Sequence, residues 1–199
     1  MRPHLTIMNA LDLPTRTAAK TPLPDSYRWL LPRYPREGWR THANMGAHTR
    51  FWLQLHASFR RAADDMDSLD TAFREENIEA AAFKAAMAPR LQHFLSALDH
   101  HHHMEDHVFF PRFTAAEARI AKGIDLLERD HEAIEANIHA TVEAANAFLR
   151  DESDARRTGE AFTCAADALT RLMRRHLDDE EEIVMPLILD RGEAALGVE

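Results

Sequence analysis

The sequence has one cysteine, six glycines and two tyrosines in 199 residues. With Cys164 as the only thiol, no intrachain disulfide can form, and a cytoplasmic setting is expected. No glycine-rich segment has the pattern that cradles a phosphate or a dinucleotide. No nucleophile–base arrangement points to a hydrolase. No apolar run approaches the length of a membrane span, and the N-terminus lacks the apolar core of a secretory signal. Positive charge is in deficit: the formal net charge is -9, which argues against general nucleic-acid binding. Neither nucleic acid nor membrane is therefore expected as a partner, and the oligomeric state is left open.

What the chain has is alanine, leucine, glutamate and arginine, a helical composition, together with 13 histidines. Proline is unevenly spread. Six of the nine (Pro3, Pro14, Pro22, Pro24, Pro32, Pro35) fall in residues 1–43, where they forbid a long helix. Tyr27, Trp29, Tyr34 and Trp39 are interspersed there, so this extension is expected to pack on the domain as a strap, with an interaction arm as the alternative.

Apolar spacing predicts four amphipathic helices over residues 44–190. The first covers 44–74, with Asn44 or Thr41 as cap and a face containing Trp52, Phe59 and Met66. The second carries Leu91, Phe94 and Leu98; Pro89 should kink or interrupt it and Pro111 should end it. Thr114 and Glu117 have capping-box spacing, so a short connecting helix is expected before a break at Gly123. The third runs from Ile124 through Leu127, Ile134, Ile138 and Val142 to Phe148, and the fourth from Phe162 through Leu169 and Ile183 to Leu187. Pro186 should distort the last turn, and residues 191–199 should form a frayed tail. Helices joined by short turns read as an all-α, antiparallel up-down-up-down four-helix bundle.

Two stretches share a pattern. HHHMEDHVFFP starts at His101 and HLDDEEEIVMP at His176. Each places a glutamate four residues after the histidine, Glu105 and Glu180, and a proline ten residues after it. Positions i and i+4 share a helix face, so each stretch directs an imidazole and a carboxylate to one point. In a bundle register, His56 on the first helix and His131 on the third fall at the same level as His101 and His176.

His56, His101, Glu105, His131, His176 and Glu180 are therefore the candidate metal ligands. Six donors exceed one tetrahedral zinc. They suit two ions bridged by the glutamates, as in carboxylate-bridged di-iron and di-manganese bundles. A core histidine can be merely structural. Two buried carboxylates at one level without a cation are costly, because each loses hydration and repels the other.

These segments, FWLQLHASFR around His56, HHHMEDHVFFP, LLERDHEAI around His131 and RHLDDEEEIVMP, resemble the hemerythrin-like, HHE cation-binding proteins. The resemblance covers residues 44–190. It implies a non-haem centre of two iron ions, oxo- or hydroxo-bridged, with manganese or zinc as substitutes. It also implies reversible or reactive binding of dioxygen, nitric oxide or peroxide. One departure stands out. The oxygen carriers of that family have a second third-helix histidine where this chain has Glu135, and an aspartate at five-residue spacing where this chain has Glu180 at four. A carboxylate or solvent would then replace a nitrogen donor. That sets sensing, scavenging, or oxidase or peroxidase turnover at least level with simple carriage, and leaves an iron-responsive binding module as a further reading.

Other residues carry weaker expectations. His48 is the rival of His56, eight residues away on the same face. His102 with Asp106 repeats the four-residue spacing one position out of phase and is the fallback pair on the second helix. His93 and His139 are expected to be surface or structural, and His100, His103 and His107 to face solvent. Asp130, Asp178 and Asp179 are candidates to orient ligand imidazoles from behind. Cys164 is expected in the core.

Overall fold

The computed structural model describes residues 23–151 and 153–198. The first part of the expected N-terminal extension, residues 1–22, lies outside the described residues. Among those described, every regular element is a helix. Four are long: α1 (Ala47–Arg74), α2 (Ala80–Met104), α4 (Ala121–Arg150) and α5 (Ala155–Arg191). Shorter ones are α3 (Phe110–Ala116) and α6 (Glu193–Leu196).

The long helices pack in a closed ring, α1 on α2, α2 on α4, α4 on α5 and α5 on α1. Contacts between neighbours run in opposite chain order. His56 meets His101 while Phe73 stacks on Phe83; His131 meets His176 while Phe148 stacks on Phe162. On the α1–α5 side, Arg60 bonds Asp178 and Arg74 bonds Asp167. Two apolar clusters fill the interior on either side of the histidine level. One centres on Phe59, Phe83, Phe94, Phe162 and Met173, the other on Trp52, Phe110, Phe113, Leu127 and Ile188. Burying such side chains contributes roughly 1.5–3 kcal/mol each relative to exposure, which makes the two clusters the main source of cohesion.

Several local expectations fail for identifiable reasons. Pro89 does not interrupt α2, which continues through it. Pro111 does not end the helical path. Residues Glu105–Phe109 form a π-helical turn, after which α3 restarts with Pro111 in its first turn. A proline is tolerated there because its missing N–H has no partner to lose. Gly123 does not break the chain: it is buried in the first turn of α4, where a Cβ would lie 2.8 Å from the Ile183 side chain. Thr114 lies within α3, and it is the Glu117 side chain that caps the following turn, accepting from the Arg119 amide.

The start of α1 is capped from the far end of the chain. Glu193 accepts from the Thr49 amide at 2.6 Å and from its hydroxyl, and a Cβ on Gly46 would collide with that carboxylate. Asn44 instead donates to the Leu189 carbonyl at 2.7 Å. The tail is not frayed: Leu196 and Val198 are buried. Pro186 lies inside α5, which extends to Arg191.

Residues 23–45 lie against α5. Leu23, Leu30, Trp39 and Met45 are buried in the cluster around Phe113 and Ile188. Arg28 bonds Glu182, Tyr34 donates to Asp190 at 2.7 Å, and Arg36 bonds Glu181 at 2.6 Å.

Candidate metal centre

The sequence places one imidazole on α1, a pair on α2, one on α4 and one on α5, and the ring of helices brings them to one buried level. His56, Glu105 and His176 have no exposure, and Glu180 has 1%. The donors fall into two groups: His56, His101, Glu105 and Glu180, and His102, Glu105, His131 and His176. Within each group one ligand atom per residue lies within 4.8 Å of all the others.

Glu105 belongs to both groups. One of its oxygens lies 3.0 Å from His101 Nε2 and the other 3.4 Å from His131 Nε2. Glu180 also straddles them, its Oε2 lying 3.3 Å from His56 Nε2 and 3.7 Å from His176 Nε2. The ring nitrogens converge in pairs, His56 on His101 at 3.2 Å and His131 on His176 at 3.0 Å.

Acidic side chains hold two of these rings from behind. Glu181 Oε1 is 3.1 Å from His56 Nδ1, and Asp106 Oδ1 is 2.7 Å from His131 Nδ1. Each fixes the tautomer that leaves Nε2 unprotonated toward the centre. Glu181 is itself gripped by Arg60 at 2.7 Å and Arg36 at 2.6 Å. Burial pushes its pKa up, but the His56 hydrogen bond and the Arg60 charge outweigh this and hold it at about 2. Asp130 lies 3.8 Å from His176 Nδ1. Of the expected orienting groups, Asp178 instead pairs with Arg60 and Asp179 with Arg175.

The electrostatics of the centre are those of a site short of positive charge. Burial, reinforced by the facing Glu180, raises Glu105 well above the usual carboxylate range; burial also raises Glu180. Burial, then the neighbouring imidazoles, lowers His101, His102 and His176 well below the ordinary histidine value. Both Glu105 oxygens, Glu180 Oε2 and His102 Nε2 are buried without a hydrogen-bond partner. Such groups cost several kcal/mol unless something compensates them. Cations fit: neutral imidazoles and carboxylates are the donor set of divalent transition metals.

All six expected residues come together here, and a seventh joins them. His102 was only a fallback in the sequence, yet it is 7% exposed, stacks on His131 at 4.0 Å between centroids, and completes the second group. The adjacent pair His101–His102 was the available signal. Neighbouring residues diverge by about 100° on a helix of 3.6 residues per turn, so one turns to His56 and the other to His131. The two residues are not alternatives.

The expectation for Glu135 is corrected. Its side chain is 70% exposed and lies 3.8 Å from the exposed His139, so it does not stand in for a histidine, and the additional imidazole comes from α2. His48 remains outside both groups, against Trp52 and Phe109. His100, His103 and His107 are exposed, as expected. Cys164 is exposed rather than in the core.

Buried histidine and carboxylate donors on four packed helices define the class of a helical cation-binding domain. The hemerythrin HHE cation binding domain matches residues 47–188, and the chain belongs to that family. No curated protein and no solved structure matches the chain. Among the described residues, no helix is long and apolar enough to cross a membrane.

Proposed function

We propose that the protein is a non-haem di-iron protein that binds dioxygen or a related small oxidant, nitric oxide or peroxide, for sensing or scavenging. Its long helices form an antiparallel up-down-up-down bundle, a reading supported by the reversed contact order of each neighbouring pair. The single observation that carries the di-iron reading is the sharing of Glu105 between two buried donor groups. His56 and His101 would hold one ion, His102, His131 and His176 the other, and Glu105 and Glu180 would bridge them. When bound, the ions supply electrons and an open coordination position to the oxidant.

The donor sets are unequal: two imidazoles on one side, three on the other. The ion with fewer nitrogen donors, next to α1, would therefore keep a coordination position for a small ligand. Trp52 lies on that side, 5% exposed, and its indole N–H donates to His56 Nε2 at 2.8 Å. With that nitrogen committed to a cation, the indole N–H needs another acceptor, and a small oxidant beside His56 supplies one. The ring also packs on Phe109 and Phe113 and keeps water from the centre. Glu181 and Asp106 retain the Nδ1 protons of His56 and His131, so the imidazoles stay oriented as charge at the centre changes.

The reading is tested by loading the protein with ferrous iron without air, then adding dioxygen, nitric oxide or peroxide and recording absorption spectra. A saturable spectral change whose half-saturation is altered in Trp52→Phe supports it. Ferrous-loaded protein with no spectral response to any of the three would reject it.

A further inference from the structure

The helix pair α2 and α4 encloses a second feature, away from the metal-candidate level. A groove of about 420 Å³ opens between Lys84–Leu95 on α2 and Val142–Leu149 on α4. It exists because Ala88 and Ala145 line it with minimal side chains. Met87, Leu91 and Phe148, all buried, form its floor. Val142 and Leu149 border it and are 38% and 45% exposed, two of the three large hydrophobic side chains exposed among the described residues. The apolar stripe of α4 thus continues past what the core covers.

The groove has one charged lining residue among those described. Lys84 Nζ lies 4.8 Å over the Phe148 ring and donates to the Asp151 carbonyl at 2.8 Å. An ammonium has three donors, so two remain for a ligand. The lining from Lys84 to Leu95 spans twelve residues of helix, about 16 Å at 1.5 Å rise per residue.

We propose that this groove binds a medium-chain fatty carboxylate, its chain along Met87, Leu91 and Val142 and its headgroup on Lys84. The volume falls in the range of small-molecule sites, which are apolar with few placed polar groups. One cation at one end of an apolar channel, with no carboxylate among the described lining residues, selects an anionic amphiphile over a cationic one. A partner helix or a second copy would have to cover the Lys84 ammonium; a carboxylate pairs with it.

The test is displacement of the fluorescent carboxylate dansyl-undecanoate from the full-length protein by dodecanoate, dodecanol and dodecyltrimethylammonium. Saturable one-to-one binding is expected, with dodecanoate the strongest competitor. Lys84→Gln should weaken dodecanoate about tenfold, and Lys84→Arg should restore much of it. Ala145→Trp, which fills the groove, should abolish binding. Val142→Glu, at an exposed rim position that leaves the fold intact, should weaken it about as much as Lys84→Gln. Absence of saturable binding, equal binding of the cationic amphiphile, unchanged binding in Val142→Glu, or a stable dimer that excludes the probe would each overturn the proposal.

Discussion

Glu105 spans the two donor groups, one oxygen 3.0 Å from His101 Nε2 and the other 3.4 Å from His131 Nε2, with no hydrogen-bond partner for either. Replacing it should therefore act on the whole centre. Glu105→Ala is expected to lower bound iron well below that of any single-histidine variant, measured by metal analysis after anaerobic loading. In the metal-free protein, Glu105→Gln should not lower the melting temperature, because it removes an uncompensated carboxyl. A Glu105→Ala protein that retains full iron would contradict the bridging role.

His102 and Glu135 exchange the importance that spacing alone assigns them. His102→Leu should reduce iron to about one per chain, as one of two bridged ions loses a donor. Glu135→Ala, at a side chain 70% exposed, should leave iron content unchanged.

His48 and His56 separate the same way. His56→Ala should lose iron from the α1 side. His48→Ala should retain it, since His48 packs on Phe109 outside both groups.

Glu181 acts through His56. Its carboxylate bonds His56 Nδ1 and is held by Arg36 and Arg60. Glu181→Gln should weaken metal affinity by about 10- to 100-fold, the usual cost of losing such a partner. Arg36→Gln should show a smaller effect in the same direction, linking residues 23–45 to the centre. Competition with a chelator of known affinity measures both.

Far from this level, Asp70 is 2% exposed and neither carboxylate oxygen has a hydrogen-bond partner. Burial, then the charge of Asp167, raises its pKa from 3.8 to about 7, against the pull of Arg74. The folded state thus holds a proton that the unfolded state has released. Asp70 favours folding most below about pH 4 and loses that contribution as pH rises toward 7, with no further change above. Asp70→Asn should therefore stabilise the protein more at pH 8 than at pH 5, by on the order of 2 kcal/mol. Denaturant unfolding at the two pH values measures this, and equal effects would contradict it.

Much of the helical architecture was legible because apolar residues recur at helical spacing over long runs, as with Trp52, Phe59 and Met66. Six of the seven clustered residues were legible because two His-x-x-x-Glu segments and two single histidines share one level. His102 was missed as a simultaneous donor because i and i+1 residues usually face different neighbours; here the two neighbours are two halves of one centre. Pro111 does not act as the terminator its spacing predicts, because the π-helical turn at Glu105–Phe109 resets the hydrogen-bond pattern and places it in a new first turn. Gly123 and Cys164 depart from the expected break and the expected core position because packing across the bundle, such as the approach of Ile183 to Gly123, is not encoded in local spacing.

The central claim is that one buried centre holds two bridged ions. Iron stoichiometry after anaerobic ferrous loading and removal of excess metal tests it most directly. About two irons per chain, falling to about one in His102→Leu, is the predicted result. One iron per chain in the wild type, or none, would contradict it.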